Sequence, residues 1–451
     1  MRGCGRHTSA GDNLCTNALE ERDLGMSVAL SEKDRGMLNG EHGEATQLAM
    51  SILVRMAEVY GATEMMDVTQ AHIDGCGLLR AAGLEFAETL AALGGRVFIP
   101  TTLNMLPLDL QNWRQFGVPE DFAAKAIRLA KAYTDMGCIP TWTCAPYQGY
   151  LTPRFGQQIA WAESNAIVYA NSVLGARTNR YGDYIDICAA ITGRVPKHGL
   201  HLKHNRKGQV LLRLVDIEPA VLWDDTLYPV LGHLIGPLAQ DKIPVIEGLP
   251  AGANGDQLKA LGAAAASSGA VALFHAIGVT PEANTLEEAF QGDAPERVID
   301  IHPSDLLAAR ADLSTAEEGA KLDLVVLGCP HFSFAEFEQL AELIQAEKAQ
   351  SIHPDVKFIV TSNQVAYSLL QRSDFMDVLI AFGVQITLDT CVFHTPIVPP
   401  DAKVMMTNSG KCAYYAPGEL GLQVAFGGMA DCVRSAARGF VCREETLWAR
   451  S

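Results

Sequence analysis

The stretch between residues 141 and 180 combines residue types that serve chemistry more often than core packing. It carries Cys144, an acid–hydroxyl pair formed by Glu163 and Ser164, and a polar loop that ends in arginine. A thiolate is a soft metal ligand, while carboxylate, hydroxyl and guanidinium groups move protons or bind anions. The alternative is one buried helix over 159–173 between surface loops, with the cysteine as a small apolar side chain. The density of polar groups and glycines favours a site that holds a small anion beside a metal.

Short apolar runs alternate with amphipathic helices along the chain, such as the helix predicted over 45–57 with Gly61 at its end. This alternation predicts an α/β fold with largely parallel sheets. Ligands of open α/β sheets bind just beyond the carboxyl ends of the strands. Five runs end in Thr, Asn, Ser, Cys or Lys, so we expect one shared crevice; helix capping alone explains the Ser and Thr, but not the Cys and Lys. The five runs are 96–99, 322–327, 358–360, 385–388 and 404–406, and further apolar runs lie at 65–68, 242–246 and 271–274.

Cys144, Cys329 and Cys391 lie in polar turns at predicted strand ends, and Lys411 follows another strand. The chain has 11 cysteines and no recognisable signal peptide, which indicates a reducing compartment where thiols bind metals or stay buried. Clustered thiolates fit an iron–sulfur cluster or zinc. With three protein thiolates, one iron of a cubane-type cluster lacks a protein ligand and can act as a Lewis acid. Inert buried thiols remain the alternative, and for His72 a hydrogen-bonded core histidine fits the sequence equally well.

Length and charge narrow the class of protein. At 451 residues the chain exceeds the size of one core, so we expect an extension over 1–25 and a body over 26–451, divided near 207 and near 300. The part between 207 and 300 carries few candidate groups and is interpreted as scaffold. The net charge of −17, without a basic stripe, argues against nucleic-acid binding. The most apolar stretch, 260–279, falls short of a membrane span, so we expect a cytoplasmic protein.

Short motifs occupy 38–43, 71–75, 101–104, 143–147, 161–164, 171–180, 328–331, 389–391 and 407–411. Together they span roughly Leu38 to Gly439, and their combination is highly specific. Taken in order, these motifs resemble the large, catalytic subunit of the aconitase X family, an outlying branch of the aconitase superfamily. The resemblance implies an aconitase-like fold, with several parallel-sheet α/β subdomains around a central crevice.

The resemblance also implies an iron–sulfur hydro-lyase that acts on a small hydroxylated carboxylate. Family members dehydrate cis-3-hydroxy-L-proline, giving a cyclic imine, or, chiefly in archaea, 5-phosphomevalonate. We expect the amino-acid substrate, with a phosphomevalonate dehydratase large subunit and a non-catalytic, cluster-carrying scaffold subunit as the alternatives. The implied cluster ligands are Cys144, Cys329 and Cys391, the implied catalytic residues are Glu163, Ser164 and Lys411, and the implied substrate-binding residues are His72, Thr101, Thr102, Asn104 and Arg177.

One departure from the fused members of the family concerns a partner. Those members carry a smaller swivelling domain on the same chain, with a serine expected to act as the base. This sequence ends at Ser451, shortly after the last motif, and resembles the separate-subunit form. We therefore expect a heterodimer in which a small swivelling-domain subunit on another chain completes the crevice.

Overall fold

Helices and strands alternate through the described chain, as the sequence predicts. The computed structural model describes residues 28–75, 78, 81–348, 351–444 and 448, so the predicted extension over 1–25 lies outside the described residues. Ser31 opens the first helix through a capping box, in which its side chain accepts from the backbone N–H of Asp34 and the Asp34 carboxylate accepts from the backbone of Ser31. Within these described ranges, no helix combines the length and apolar character that crossing a membrane requires.

Strands of the described residues form four sheets, and all pairs are parallel except β1 with β5. The fold is therefore α/β with largely parallel sheets, as predicted. The strands are β1 Met65–Asp67, β2 Ala71–Ile73, β3 Thr101–Leu103, β4 Ala160–Trp161, β5 Arg194–Pro196, β6 Val210–Leu214, β7 Pro244–Glu247, β8 His275–Ala276, β9 Arg297–Ile301, β10 Leu324–Phe332, β11 Lys357–Ser362, β12 Val384–Leu388, β13 Val404–Thr407 and β14 Gln423–Phe426.

The helices cover the sheets and bring distant parts of the chain together. The α-helices are α1 Glu32–Leu38, α2 Glu44–Tyr60, α3 Ala81–Ala92, α4 Glu120–Asp135, α5 Ser164–Ser172, α6 Ile185–Thr192, α7 Pro219–Leu222, α8 Leu227–Ala239, α9 Gly255–Ser268, α10 Leu286–Ala289, α11 Pro303–Asp312, α12 Phe334–Ala346, α13 Gln364–Leu370, α14 Phe375–Phe382, α15 Gly410–Glu419 and α16 Met429–Arg438. Helix α9 packs against both α5 and α15, whose amino ends carry candidate site residues. The central part of the chain thus supports the site as a scaffold.

Two parallel sheets direct their carboxyl ends at one region. The five-stranded sheet has the order β12-β11-β10-β13-β14, and the three-stranded sheet has the order β3-β2-β4. Hydrogen bonds join the two: the backbone N–H of Leu106 donates to the carbonyl of Asp389 at 2.8 Å, and that of Leu388 donates to the carboxylate of Asp109 at 3.1 Å. Polar residues that follow strands of either sheet can therefore meet.

The run at 96–99 was predicted as a strand, and that prediction is wrong. The strand is β3, immediately after it, over residues predicted as the turn. The backbone N–H groups of Val97 and Phe98 instead donate to the carbonyls of Met136 and Ala190, at the end of α4 and within α6. The run therefore forms a connecting segment before β3, because its backbone N–H groups donate to helical segments and not to a neighbouring strand.

Other predicted strands are displaced. The run at 271–274 precedes β8, since the backbone N–H of Phe274 is taken by the Ser172 hydroxyl at 2.9 Å. The run at 322–327 continues as β10 to Phe332, past an irregularity in its pairing with β11. After the run at 358–360, Asn363 caps α13, so capping accounts for that strand end and it does not reach the crevice.

Replacing Gly328, the residue before Cys329, by alanine is predicted to destabilise the fold. Its φ is +90°, and an added Cβ would lie 2.1 Å from the carbonyl oxygen of Thr361. The left-handed conformation alone costs about 1–3 kcal/mol for a non-glycine residue, and the backbone contact adds to it. Gly328→Ala should therefore lower the free energy of unfolding, measured by denaturant titration, by more than Gly319→Ala. Gly319 is a matched control, with φ +78° and no atom within 4 Å of an added Cβ; equal losses in both variants would contradict the steric argument.

Candidate active site

A cavity of about 350 Å³ lies where the carboxyl ends of the two parallel sheets meet. Loops after β2, β3, β4, β12 and β13 and the end of β10 contribute to it, whereas the stretch between 207 and 300 does not. The shared crevice predicted from the strand ends is therefore present. Of the residues predicted from the sequence, it is lined by Asn104, Cys144, Glu163, Ser164, Cys329, Cys391 and Lys411.

The three cysteine side chains reach this cavity from different parts of the chain, and each sulfur receives or approaches a hydrogen-bond donor. Cys391 follows β12, whereas Cys329 lies within β10 and Cys144 lies between α4 and β4, so the predicted strand-end position is wrong for these two. The backbone N–H of His331 donates to Cys144 Sγ at 3.3 Å, and that of Phe393 donates to Cys391 Sγ at 3.4 Å. The thiol of Cys412 bonds to the sulfur of Cys329 and lowers the pKa of Cys329. Burial raises the pKa of Cys144 and raises that of Cys391 to about 12.

His331 ties the loops of all three cysteines together. It follows Cys329 by two residues, its backbone N–H bonds to Cys144, its Nδ1 lies 3.2 Å from the Thr143 hydroxyl, and its Nε2 lies 2.8 Å from the carbonyl of Thr390. A carbonyl only accepts, so Nε2 carries the proton and Nδ1 accepts from the hydroxyl. Burial lowers the pKa of His331 to about 4, which keeps the ring neutral.

A left-handed residue lies at or shortly before four candidate groups: Cys144, Glu163, Cys329 and Cys391. Trp142, Glu163, Gly328 and Asp389 have φ values of 42°, 73°, 90° and 66°. Such conformations are costly for residues other than glycine and persist where surrounding contacts impose them. They turn the chain sharply at the strand ends, so the following side chains face the cavity.

Lys411, Glu163 and Ser164 form a hydrogen-bonded network in the cavity wall. Lys411 Nζ lies 2.7 Å from Glu163 Oε1 and 3.2 Å from the Ser164 hydroxyl. Burial alone would raise the pKa of Glu163, but Lys411 and the backbone N–H of Ala166 hold it below its usual value. Burial likewise opposes the charge on Lys411, yet Glu163 raises the pKa of Lys411 above its ordinary value. The pair is therefore ionised, a carboxylate beside an ammonium.

Asp74 is a second carboxyl group of the cavity, which the sequence did not single out. Its Oδ1 accepts from Asn104 Nδ2, and its backbone N–H donates to Asp186 at 2.7 Å. Burial, together with the negative charges of Glu163 and Asp186, raises the pKa of Asp74 to about 8. Asp74 is thus mostly protonated at neutral pH. The position of Asp74 directly after β2 could have marked it as a candidate. The sequence analysis identified only the run at 65–68, which is β1, and did not predict β2.

Three residues predicted to bind substrate lie behind the cavity wall. His72 is fully buried, its Nδ1 lies 2.8 Å from the Thr102 hydroxyl, and burial lowers its pKa to about 3. The Thr101 hydroxyl is also buried and donates to the carbonyl of Ile99 at 2.8 Å. None of the three lines the cavity. The bond at Nδ1 fits the alternative of a hydrogen-bonded core histidine, whereas Nε2 of His72 is buried and has no hydrogen-bond partner among the described residues. The substrate-binding roles of His72, Thr101 and Thr102 stay predictions.

Arg177 does not line this cavity either; it lines a separate one, and Arg180 lies at the site in its place. Arg177 pairs with residue 158 in a β-bridge, and an odd spacing of three residues places Arg180 on the other side of such a segment. His394, close after Cys391, also lines the site. Its Nδ1 is buried and makes no hydrogen bond with the described residues, and burial lowers its pKa to about 4.

The thiols fit an iron–sulfur cluster by number, type and surroundings. Thiolates with N–H and S–H donors directed at sulfur are characteristic of such clusters. Within the described ranges, no group of three or more Cys, His, Asp or Glu side chains that could hold a single metal ion is found. The raised pKa values of Cys144 and Cys391 mean that binding of a cluster would release protons, since a ligating thiol is deprotonated.

Comparison with known proteins identifies the relatives of this chain. Family models for the aconitase X first, second and third domains match residues 27–204, 208–311 and 322–438. The cis-3-hydroxy-L-proline dehydratase of Pseudomonas aeruginosa is 47% identical over 90% of this chain and 69% of its own length. The phosphomevalonate dehydratase large subunit of Methanothermobacter thermautotrophicus is 38% identical over 90% of this chain and 98% of its own length.

Structural comparison agrees with these matches. The crystal structure of Thermococcus kodakaraensis aconitase X in its holo-form superposes with a TM-score of 0.82 at 31% identity, over 91% of this chain and 100% of that one. The fold and its dehydratase relatives define an enzyme of the hydro-lyase class. The chain belongs to the aconitase X family, as the motifs indicated.

Asp74 gives a prediction about pH. The unfolded side chain has a pKa near 3.8, whereas the folded one keeps its proton up to about pH 8. Between these two pH values the folded state keeps a proton that the unfolded state has lost. Each rise in pH therefore lowers the free energy of unfolding, by up to about 1.4 kcal/mol per pH unit. In urea titrations between about pH 5 and 8, the wild type should therefore lose stability relative to Asp74→Asn, which cannot ionise. Asp401→Asn, an exposed control, should run parallel to the wild type. A parallel profile for Asp74→Asn would mean that Asp74 is already ionised.

Proposed function

We propose that this chain is the cluster- and substrate-binding body of an iron–sulfur hydro-lyase that removes water from cis-3-hydroxy-L-proline. The product is a cyclic imine, pyrroline-2-carboxylate, formed when the initial enamine tautomerises. The observation that carries the proposal is the meeting of three thiols with the Lys411–Glu163–Ser164 network in one cavity. Of the two curated relatives above, the one named for this substrate has the higher identity, 47% against 38%.

Cys144, Cys329 and Cys391 are the proposed ligands of the cluster. When bound, the cluster would supply a Lewis-acidic iron that polarises the carbon–oxygen bond of the substrate's hydroxyl group. The backbone donors to Cys144 and Cys391 hold the sulfur atoms in place. Three thiolates place negative charge in the cavity, and the nearby ammonium of Lys411 offsets part of it.

Lys411 is proposed to bind the substrate's carboxylate. An ammonium group has three N–H donors, and two of them are directed at Glu163 and Ser164. The third remains for an anionic oxygen, and Arg180 adds a second cation at the edge of the cavity. Charge-assisted hydrogen bonds of this kind fix the orientation of a carboxylate and so of the carbon beside it.

Asn104 favours the amino-acid substrate. Its Nδ2 donates to Asp74, while its Oδ1 is buried and has no hydrogen-bond partner among the described residues. A buried acceptor without a partner is costly, and the ring ammonium of 3-hydroxyproline is a donor that would satisfy it. Phosphomevalonate has no such donor. Its phosphate would need further cations, whereas Lys411 and Arg180 are the only lysine and arginine on the described cavity lining.

The removal of the proton beside the carboxylate requires a base. Glu163 is the ionised carboxylate of this chain nearest to the proposed carboxylate site, and we assign it an assisting role in proton transfer. Its ion pair with Lys411 weakens it as the sole base, because a depressed pKa lowers basicity. We therefore propose that a small swivelling-domain subunit supplies a serine base and closes the cavity against water, which strengthens the electrostatic interactions inside. The name of the archaeal relative, a large subunit, supports such a partner.

The cysteine assignment predicts the iron content. Anaerobically purified Cys144→Ala, Cys329→Ala and Cys391→Ala should each lose most of the bound iron and the brown absorbance, because each removes one protein ligand. Cys188→Ala is the matched control, since this thiol is buried in α6 and does not line the cavity. Full iron content in any of the three variants would remove that residue from the ligand set.

The proposed reaction is tested by assaying the chain with and without its separately encoded small subunit. We expect turnover of cis-3-hydroxy-L-proline by the pair, little by the large chain alone, and none of 5-phosphomevalonate by either. Turnover of phosphomevalonate instead would replace the substrate. Full activity of the lone chain would show that the base is on this chain, and no activity with the iron-loaded pair on either substrate would refute the proposed reaction.

A further inference from the structure

A second cavity, of about 820 Å³, lies apart from the candidate active site and shares no lining residue with it. It is formed by Arg177, by the turn that carries Lys203 and Arg206, and by the segment between Glu282 and Gln291. Its volume falls within the range of small-molecule sites in proteins. The chain has a net charge of −17, so cationic side chains gathered at one cavity are unexpected.

Arg206 forms a fixed wall of this cavity. It is 1% exposed, its Nε donates to Glu282 at 2.7 Å, and its other donors bond to the carbonyls of Asn171 and Leu200. The carboxylate of Glu282 is therefore already paired. The carboxylate of Glu288 accepts from the backbone and side chain of Asn284. Both carboxylates on the lining thus have partners.

Two cationic side chains of the lining, Arg177 and Lys203, have no acidic partner among the described residues. The side chain of Arg177 makes no hydrogen bond or ion pair with the described residues, and its Nε is in addition shielded from solvent. Lys203 also has no ion pair within the described part of the chain, and its side chain is exposed. A buried guanidinium donor without an acceptor is costly, and the neighbouring guanidinium of Arg206 repels Arg177 further. Both costs are relieved by an anion.

We propose that this cavity binds a small anion that carries a carboxylate or phosphate group, held by Arg177 and Lys203. The planar guanidinium matches two oxygens of either group, and the lysine adds a point charge. Phe155, 60% exposed on the same lining, offers an apolar surface to the organic part of the ligand. The site is separate from the candidate active site: Arg177, which the family resemblance implied as a substrate contact, lines this cavity and not that one.

The chain provides a matched pair of variants. Arg177 and Arg180 lie three residues apart on one segment but line different cavities. Titration calorimetry of the full chain with inorganic phosphate, and separately with malonate, measures binding in Arg177→Met and Arg180→Met. We expect at least tenfold weaker binding at this cavity in Arg177→Met, whereas Arg180→Met reports separately on any anion bound at the candidate active site, because Arg180 lines only that cavity. Arg213→Met, an exposed arginine paired with Asp300, controls for the loss of one positive charge.

Each result bears on the proposal. Binding of phosphate alone identifies a phosphate-bearing ligand, binding of malonate alone a carboxylate, and binding of both the shared chemistry. Lys203→Gln, a substitution at an exposed position, should weaken binding several-fold and provides a second test if Arg177→Met does not fold. The proposal is overturned if the wild type binds neither anion, if Arg177→Met and Lys203→Gln bind as the wild type does, or if Arg180→Met alone loses binding, which would place the anion at the active site.

Discussion

The candidate active site depends on one buried imidazole. His331 bonds through its backbone to Cys144, through Nδ1 to the Thr143 hydroxyl and through Nε2 to the carbonyl of Thr390, and it lies two residues from Cys329. Burial lowers the pKa of His331 and keeps the ring neutral. Because a carbonyl only accepts, Nε2 of the neutral ring carries the proton and Nδ1 accepts from the Thr143 hydroxyl. A substitute without both nitrogens would lose one of these two bonds, so one side chain links the segments that carry the three thiols.

A second constraint is the concentration of charge at a buried place. Lys411 and Glu163 neutralise each other, Asp74 keeps its proton, and His331 and His394 stay neutral. Burial makes each isolated charge expensive, so the site keeps charge only where a partner is within hydrogen-bond distance. What remains for a ligand is one donor of Lys411, the edge cation Arg180 and the thiols. That remainder is complementary to a small carboxylate beside a metal, which is the chemistry that the residue types first suggested.

The sequence was sufficient for the fold class and for the residues that follow strands directly, because the strand-end rule depends only on local pattern. Cys391 and Lys411 were found in this way, and Cys329 was found although β10 runs on beyond it. The rule failed where a strand was missed: the run at 65–68 is β1, but β2 was not predicted, and this hid Asp74. The rule could not tell which of Arg177 and Arg180 lines the cavity, because the direction of each side chain depends on the pairing of the segment with residue 158, which the sequence pattern did not reveal. Family motifs did not resolve these cases, since a motif marks a segment and not the direction of its side chains.

The candidate site is divided between two sheets, and this division would connect metal binding to folding. Cys144 lies on the side of the three-stranded sheet, whereas Cys329 lies within β10 and Cys391 follows β12 of the five-stranded sheet. The two sides are joined by His331 and by the backbone bonds at Leu106 and Leu388. The proposed cluster, held by all three thiols, would add a covalent connection across the same boundary. Because the ligands come together only in the folded chain, the free energy of cluster binding would contribute to the stability of the contact between the sheets. The same boundary forms the cavity, so the proposed cluster would also fix the walls that orient the substrate.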